Sequence, residues 1–314
     1  MLSLTAVAAA PGFQDSLGDT LNVDHDVRFI DPDRPVTDQL ADIDVVVDIG
    51  RFSDGEALIR AAPRLRLWQV MGTGTDHVPV RLCESAGVRV ANCPGETGAI
   101  ALAEQTFYLM LTLARRAAEA RVDPWRQVMA TELAGRTLGL VGLGASACEV
   151  ARRARAFGMS TIALTRDGRS RAANSVDRVM DIDAIDSVLP QLDIVSLHVP
   201  LNTATRGLLN ARRIALLRPH ALVINVSRGG LIDEQAVAAA LCERRIGGAG
   251  LDTFDHEPLP ASSPLLSALN VVLTPHMAGR TVETARRRMN VVRENCRRLA
   301  VGAPLQHLVR AVAG

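Results

Sequence analysis

Three residues of different chemistry each follow an apolar run in the carboxyl-terminal half of the chain. Arg228 follows the run Ala221–Val226, in Asn225-Val226-Ser227-Arg228-Gly229-Gly230. Glu257 lies a few residues past Ala249–Asp252, in Asp252-Thr253-Phe254-Asp255-His256-Glu257-Pro258, and His276 follows Val271–Thr274, in Thr274-Pro275-His276-Met277-Ala278-Gly279. Taken singly they read as a helix-capping arginine, a solvated glutamate and a satisfied histidine. The runs before them read as strands of a parallel sheet, and open parallel sheets bind ligands at the carboxyl ends of their strands. Together the three would place a guanidinium, a carboxylate and an imidazole around one crevice. A guanidinium pairs a carboxylate with forked geometry and polarises a carbonyl. An imidazole moves a proton near neutral pH, and a carboxylate beside it fixes its tautomer. Beside a nicotinamide, that set suits the interconversion of a 2-oxoacid and a 2-hydroxyacid.

The nicotinamide is implied by the stretch Thr137–Met159, TLGLVGLGASACEVARRARAFGM. The apolar run Leu138–Val141 breaks into Gly142-Leu143-Gly144-Ala145-Ser146-Ala147. A segment of helical period follows, with Ala147, Val150, Ala151, Ala154 and Phe157 on one face and Glu149, Arg152, Arg153 and Arg155 on the other. The first glycine permits a tight turn and the second lets the backbone approach a pyrophosphate. The third position needs only a small residue, and Ala147 is small enough. The helix start then offers N–H groups and a partial positive charge to phosphates.

The elements that hold these motifs repeat along the chain. Before Cys93 the strand-like runs are Leu4–Ala8, Val27–Ile30, Val45–Asp48, Leu65–Val70 and Val88–Asn92, with helix-length or loop-like gaps. After the glycine turn come Thr161–Thr165, Asp193–His198, Ala221–Val226, Ala249–Asp252 and Val271–Thr274, with helical runs such as Asp233–Arg245 between several of them. This alternation argues two α/β units with parallel sheets, the second carrying the dinucleotide fingerprint. Met71-Gly72-Thr73-Gly74-Thr75-Asp76-His77 follows the fourth strand, where glycines let N–H groups face an anion; a plain turn is the simpler reading of it. The run Ala101–Ala114 is apolar nearly all round, too short to span a bilayer, and must be covered by other protein, at a domain or subunit interface. In Thr281–Val301, Val282, Ala285, Met289, Val292, Cys296 and Leu299 form one helical stripe, which predicts a helix returning to pack on the first unit.

Composition removes several function classes. The chain has 314 residues, enough for two domains, 48% of them hydrophobic, and a net charge of +1 that suggests neither a disordered tail nor a nucleic-acid-binding surface. Arg286, Arg287 and Arg288 read as the solvated face of a helix. All 35 of its Lys+Arg residues are arginine. Without a lysine amine, pyridoxal-phosphate and Schiff-base chemistry are excluded, as is a P-loop ending in Gly-Lys. A Tyr-x-x-x-Lys dehydrogenase is excluded too, since the one tyrosine, Tyr108, has no lysine partner. The five cysteines, Cys83, Cys93, Cys148, Cys242 and Cys296, form no CxxC pair and read as buried hydrophobes in a reducing, cytoplasmic compartment. Met1–Ala10 lacks a basic flank and reads as a first strand, not a secretion signal. No metal site and no membrane span is expected.

From about Gly135 to Thr281 the sequence resembles the D-isomer-specific 2-hydroxyacid dehydrogenase family. The resemblance rests on the glycine turn, His198-Val199-Pro200-Leu201-Asn202, INVSRGGLIDE, LDTFDHEPLP and TPHMAG, and GTGTDHV extends it into the first unit. It implies a Rossmann dinucleotide-binding domain over residues 98–280, joined to a discontinuous flavodoxin-like substrate domain over residues 1–97 and 281–314. It implies that Arg228, Glu257 and His276 are the catalytic arginine, glutamate and proton-transferring histidine. Thr73 and Gly74, with Arg228, would hold the substrate carboxylate. Gly142, Gly144, Ala145, Ser146, Thr165, Arg166, Pro200, Val226, Ser227 and Asp252 would line the cofactor, with Asp252 near the nicotinamide amide. A homodimer is implied, consistent with the apolar helix.

Three departures from the family pattern bear on function. Ala147 replaces the commoner glycine without consequence. Ser146 stands where the family usually has an aliphatic residue, so the first helical turn packs differently. An acidic residue about 20 positions after the glycine turn normally accepts from the ribose 2′-hydroxyl of NAD. Here that place holds Thr165 and Arg166, with Asp167 two places late and turned to solvent. A hydroxyl and a guanidinium would welcome a 2′-phosphate, so NADP is the expected cofactor, with NAD possible. The functions consistent with these residues are a glyoxylate- or hydroxypyruvate-type reductase, a phosphoglycerate-type dehydrogenase, and a nucleotide-sensing corepressor-like binding protein.

Overall fold

A computed structural model describes residues 3–6, 25–31, 33–50, 54–170 and 172–311. The chain divides into two compact units, one formed by Met1–Thr97 with Val282–Gly314, the other by Gly98–Thr281.

In the first unit, strands β1 (Ser3–Ala6), β2 (Asp26–Phe29), β3 (Val45–Asp48), β4 (Leu67–Val70) and β5 (Arg89–Ala91) pair in parallel in the order β5-β4-β3-β1-β2. Val7 and Ala8, also expected in the first strand, lie outside the described residues. Every residue of VVVD in β3 and LWQV in β4 is buried, as strands covered on both faces must be. One face carries Val46, Trp68, Val70 and Val90 with Leu58 of helix α1 (Gly55–Ala61) and Cys83 of α2 (Val80–Ser85).

The second unit begins with helix α3 (Ala99–Ala114), followed by β6 (Thr137–Val141), α4 (Ala145–Ala156), β7 (Ser160–Thr165), β8 (Arg178–Asp181), α5 (Ile185–Val188), β9 (Ile194–Leu197), α6 (Ala211–Ile214), β10 (Leu222–Asn225), α7 (Glu234–Cys242), β11 (Gly248–Leu251) and β12 (Val271–Leu273). Its seven strands run parallel in the order β12-β11-β10-β9-β6-β7-β8. The order turns back between β6 and β9, the place where a doubly wound sheet opens a crevice beyond its strand ends. Asp233 caps α7 by accepting from the Ala236 N–H at 3.0 Å.

Helix α8 (Val282–Ala300) returns to the first unit, where Met289, Val292, Cys296 and Leu299 pack on Val45, Val47, Leu67 and Ala91. The stripe is displaced in its first turn, because Val282 is exposed and Thr284 is buried instead. Asn295, also buried, donates to Gln69 Oε1 at 2.7 Å and accepts from the Gln306 N–H at 2.8 Å. That pin leads the chain into β13 (Leu308–Val309), antiparallel to β5.

Several sequence expectations are corrected. In helix α3 Ala103, Phe107, Met110 and Leu113 are covered by the helix's own unit, and Ile100, Glu104 and Tyr108 are exposed. Of the three consecutive arginines only Arg286 is fully solvated; Arg287 is half-buried with Nε on the Thr97 carbonyl at 2.7 Å, and Arg288 is half-buried too. Cys83, Cys93 and Cys296 are buried, but Cys148 is half-buried and Cys242 exposed. Strands β8 and β13 escaped the pattern because each is a short edge strand with little buried apolar surface.

Candidate active site

The glycine turn forms because Gly142 takes φ +94°, and a Cβ there would lie 2.6 Å from the His198 carbonyl oxygen. Gly144 is the N-cap of α4 in an extended conformation, and among the described residues no side chain bonds the first-turn N–H groups. Among the described residues no atom lies within 4 Å of where a Gly144 Cβ would sit. Ala147 is fully buried against Leu138 and Val150, the close helix–strand contact that its size permits.

Ser146, on the same turn, places Oγ 3.1 Å from His198 Nδ1, and His198 Nε2 lies 2.9 Å from Ser196 Oγ of β9. Burial pushes the His198 imidazole down to about 4. Pro200, past the end of β9, is exposed and its carbonyl accepts from the Thr205 hydroxyl at 2.7 Å.

At the end of β7, Thr165 holds a buried Oγ1 with no hydrogen-bond partner among the described residues. Arg166 is exposed and makes no ion pair among them. Asp167 is exposed as well, and its Oδ1 accepts from the Arg169 N–H at 3.1 Å. The carboxylate is thus engaged in its own turn.

At the ends of β10, β11 and β12 the remaining polar residues gather. Val226 is buried, and Ser227 donates its hydroxyl to the Leu197 carbonyl at 2.7 Å. Arg228 follows, with Nη1 donating to the Ser227 carbonyl at 2.9 Å. A Cβ on Gly229 would lie 1.8 Å from the Phe254 carbonyl carbon, so only glycine lets the loop carrying Glu257 approach so closely.

Asp252, fully buried, accepts from Thr274 Oγ1 at 2.5 Å and from the N–H groups of Met277 and Ala278 at 3.0 and 2.8 Å. Its carbonyl takes the His276 N–H at 2.8 Å, holding His276 at φ +49°. His276 Nδ1 lies 2.7 Å from Glu257 Oε2, and Glu257 Oε1 accepts from the Phe254 N–H at 3.0 Å. Burial would raise the Glu257 carboxyl, but the bonds from His276 and Phe254 and the charges of His276 and Arg228 bring it below its usual range. Arg228, Glu257 and His276 therefore share one electrostatic neighbourhood. Glu257 fixes the inner ring nitrogen and leaves Nε2 at the exposed tip.

Thr73 and Gly74 lie in the first unit, in the loop after β4, where the Thr73 carbonyl accepts from Asn92 Nδ2 at 2.7 Å. Sequence reasoning did not single out Gln105, which reaches from α3 to donate to Thr274 Oγ1 at 3.0 Å and so completes the polar chain beneath His276. Its place inside an apolar helical run was the available signal.

Residues 107–278, more than half of the chain, match the family described as "D-isomer specific 2-hydroxyacid dehydrogenase, NAD binding domain". The chain is 34% identical over 273 residues to a glyoxylate reductase of Korarchaeum cryptofilum, covering 83% of this chain and 80% of that one. The chain belongs to the D-isomer specific 2-hydroxyacid dehydrogenase family. It is also 34% identical over 278 residues to a D-3-phosphoglycerate dehydrogenase of Methanocaldococcus jannaschii, covering 87% of this chain but only about half, 52%, of that longer one. Among solved structures it is similar to the D-lactate dehydrogenase of Aquifex aeolicus complexed with NAD and lactic acid, with a TM-score of 0.86, 25% identity and coverage of 99% of this chain and 100% of that one. These are oxidoreductases acting on CH–OH groups. The first turn of α4, which Gly144 leaves without a side-chain cap, and the Thr165 hydroxyl, unpartnered among the described residues, are what a dinucleotide would fill in this 2-hydroxyacid dehydrogenase.

Proposed function

We propose that the protein is a reductase of small 2-oxoacids, of the glyoxylate or hydroxypyruvate type, that prefers NADP. The observation that carries the reading is the 2.7 Å contact of His276 Nδ1 with Glu257, beside Arg228. A dinucleotide held by the second unit would supply the hydride for C2 of the oxoacid. His276 gives the Nε2 proton to the carbonyl oxygen, so a C–H and an O–H bond form while the C=O π bond breaks, and the ring recovers its proton from water. Glu257 keeps Nδ1–H in place and balances the imidazolium. The Arg228 guanidinium pairs the substrate carboxylate and steadies charge on the carbonyl oxygen. Gly142, Gly144, Ala145, Ser146, Pro200, Val226, Ser227 and Asp252 line the dinucleotide.

The NADP preference is supported by Thr165 and Arg166, which stand at the end of β7 where NAD-binding turns carry an acid, while Asp167, two places on, accepts from its own turn. The test is the oxidation of NADPH and of NADH over a panel of small 2-oxoacids. Substrate-dependent turnover with a higher kcat/KM for NADPH is expected. No turnover with any oxoacid would favour a binding protein, and a tenfold preference for NADH would overturn the NADP assignment.

A homodimer is part of the same proposal. The segment after α3 exposes Val122, Trp125 and Met129 at 82%, 75% and 87%, apolar surface that a second copy would cover. Light scattering of the purified chain should give twice the monomer mass; a clean monomer would remove the dimer. Among the described residues no helix is long and apolar enough to cross a membrane.

A further inference from the structure

His198 stands between two hydroxyls at the glycine turn, with Ser146 Oγ 3.1 Å from Nδ1 and Ser196 Oγ 2.9 Å from Nε2. Burial, pushing the ring down to about 4, keeps it neutral at physiological pH. A neutral imidazole has one N–H and one lone pair, so the three residues can share protons in two ways.

In the first arrangement Nε2–H donates to Ser196 Oγ and Nδ1 accepts from the Ser146 hydroxyl. The Ser196 proton then has nowhere to go, because Ser196 is fully buried and the imidazole is its one hydrogen-bond partner among the described residues. In the second, the Ser196 hydroxyl donates to Nε2 and Nδ1–H donates to Ser146 Oγ. Every buried proton is then engaged, and the Ser146 hydroxyl is left to donate outward. Ser146 is the second residue of the twelve-residue helix α4, half-exposed, on the turn whose N–H groups are uncapped. Side chains there lean toward the helix N-terminus, the side from which a phosphate approaches.

We propose that Ser146 is a side-chain hydroxyl donor to the pyrophosphate of the dinucleotide, aimed by the buried His198–Ser196 pair. An aliphatic residue at this position could offer only its backbone N–H. The assignment rests on the dinucleotide reading above and adds to it a ligand atom that the backbone motif does not supply.

The test measures binding to the full chain by calorimetry with two probes, 2′-phospho-ADP-ribose, which contains the pyrophosphate, and 2′-AMP, which does not. Ser146→Ala should bind the first about ten- to a hundredfold more weakly than wild type and the second unchanged, while Ser146→Thr, which keeps a hydroxyl, should recover most of the loss. In the wild-type complex, nitrogen-15 shifts should place the His198 proton on Nδ1. Equal affinity of wild type and Ser146→Ala for both probes would overturn the assignment. So would an equal loss for both probes, which would mark Ser146 as a structural support of the turn, or a His198 proton on Nε2. A wild-type chain that binds neither these probes nor ADP-ribose overturns the dinucleotide reading itself and this assignment with it.

Discussion

Each sheet carries, beyond the end of a strand, an imidazole 2.7 Å from a carboxylate, yet the two pairs are built in opposite senses. In the first unit His77 presents Nε2 to Asp48, and in the second His276 presents Nδ1 to Glu257. Asp48 is fully buried and also accepts from Trp68 Nε1 at 3.0 Å and the Gly50 N–H at 2.6 Å. Burial would raise its carboxyl, but the bonds from His77, Trp68 and Gly50 and the charge of His77 hold it below its usual range. The tip nitrogen of His77 is thus engaged by the protein, and its side chain is 23% exposed against 47% for His276. Glu257 takes the inner nitrogen, and in the proposed reaction the tip nitrogen faces the substrate. On the proposed reading, the ring nitrogen that the acid occupies separates the pair that ties loops together from the pair that moves a proton.

The largest effect expected from this contrast is on turnover. His276→Ala should lower kcat by about 10²–10⁴-fold, with little change in thermal stability, because the side chain is half-exposed and packs on no core. Near-normal NADPH oxidation by that variant would remove the ring from the chemistry. Asp48→Ala should do the reverse. Leaving His77 and the Trp68 N–H without their buried acceptor should cost about 3–5 kcal/mol in urea unfolding, while kcat per folded molecule changes little. If Asp48→Ala abolished turnover at full stability, the first pair would belong to the active site after all.

A third histidine sharpens the comparison because no carboxylate touches it. His198, between two hydroxyls, falls from 6.5 to about 4 in the folded chain. The unfolded chain takes up this proton below pH 6.5 and the folded chain does not. Its contribution to stability is therefore complete above pH 6.5 and is lost as the pH falls toward 4, at no more than about 1.4 kcal/mol per pH unit. Asp48 acts in a lower window. Its depressed carboxyl contributes above the ordinary value of 3.8, and that contribution is lost as the pH falls through its folded value beneath it. Urea titrations at pH 7.5 and pH 5 should show the His198 slope, and His198→Asn should flatten it. Equal slopes in wild type and variant would assign the loss to other groups.

The parts legible in the sequence were those written as periods or contiguous motifs. The parallel alternation, the return of α8 and the glycine turn all follow from spacing, and Arg228, Glu257 and His276 each follow a strand-like run. The pairings between distant side chains were not legible. Asp48 read as the end of an apolar strand, and nothing in the chain announces that His77, 29 positions on, bonds to it. Ser146 was visible as a departure, but its partner lies 52 positions away. Gln105 and Thr274, 169 apart, meet only because α3 packs beside β11 and β12. Such contacts depend on three-dimensional closure, which no local period encodes.

The smallest expected effect concerns Arg166, where solvent exposure limits what a charge can do. A guanidinium facing a 2′-phosphate makes a charge-assisted bond, but in water that bond is screened and competes with hydration. Arg166→Ala should therefore lower kcat/KM for NADPH by about five- to tenfold and leave the NADH value unchanged, since NADH offers that side chain no phosphate. Raising the ionic strength should shrink the NADPH preference proposed for the wild type and leave the variant's ratio flat. Thr165→Asp, which restores a carboxylate at the strand end, should go further and favour NADH, because it adds repulsion of the 2′-phosphate to an acceptor for the ribose hydroxyl. If both variants kept the wild-type ratio of NADPH to NADH, the end of β7 would not be where the two cofactors are told apart.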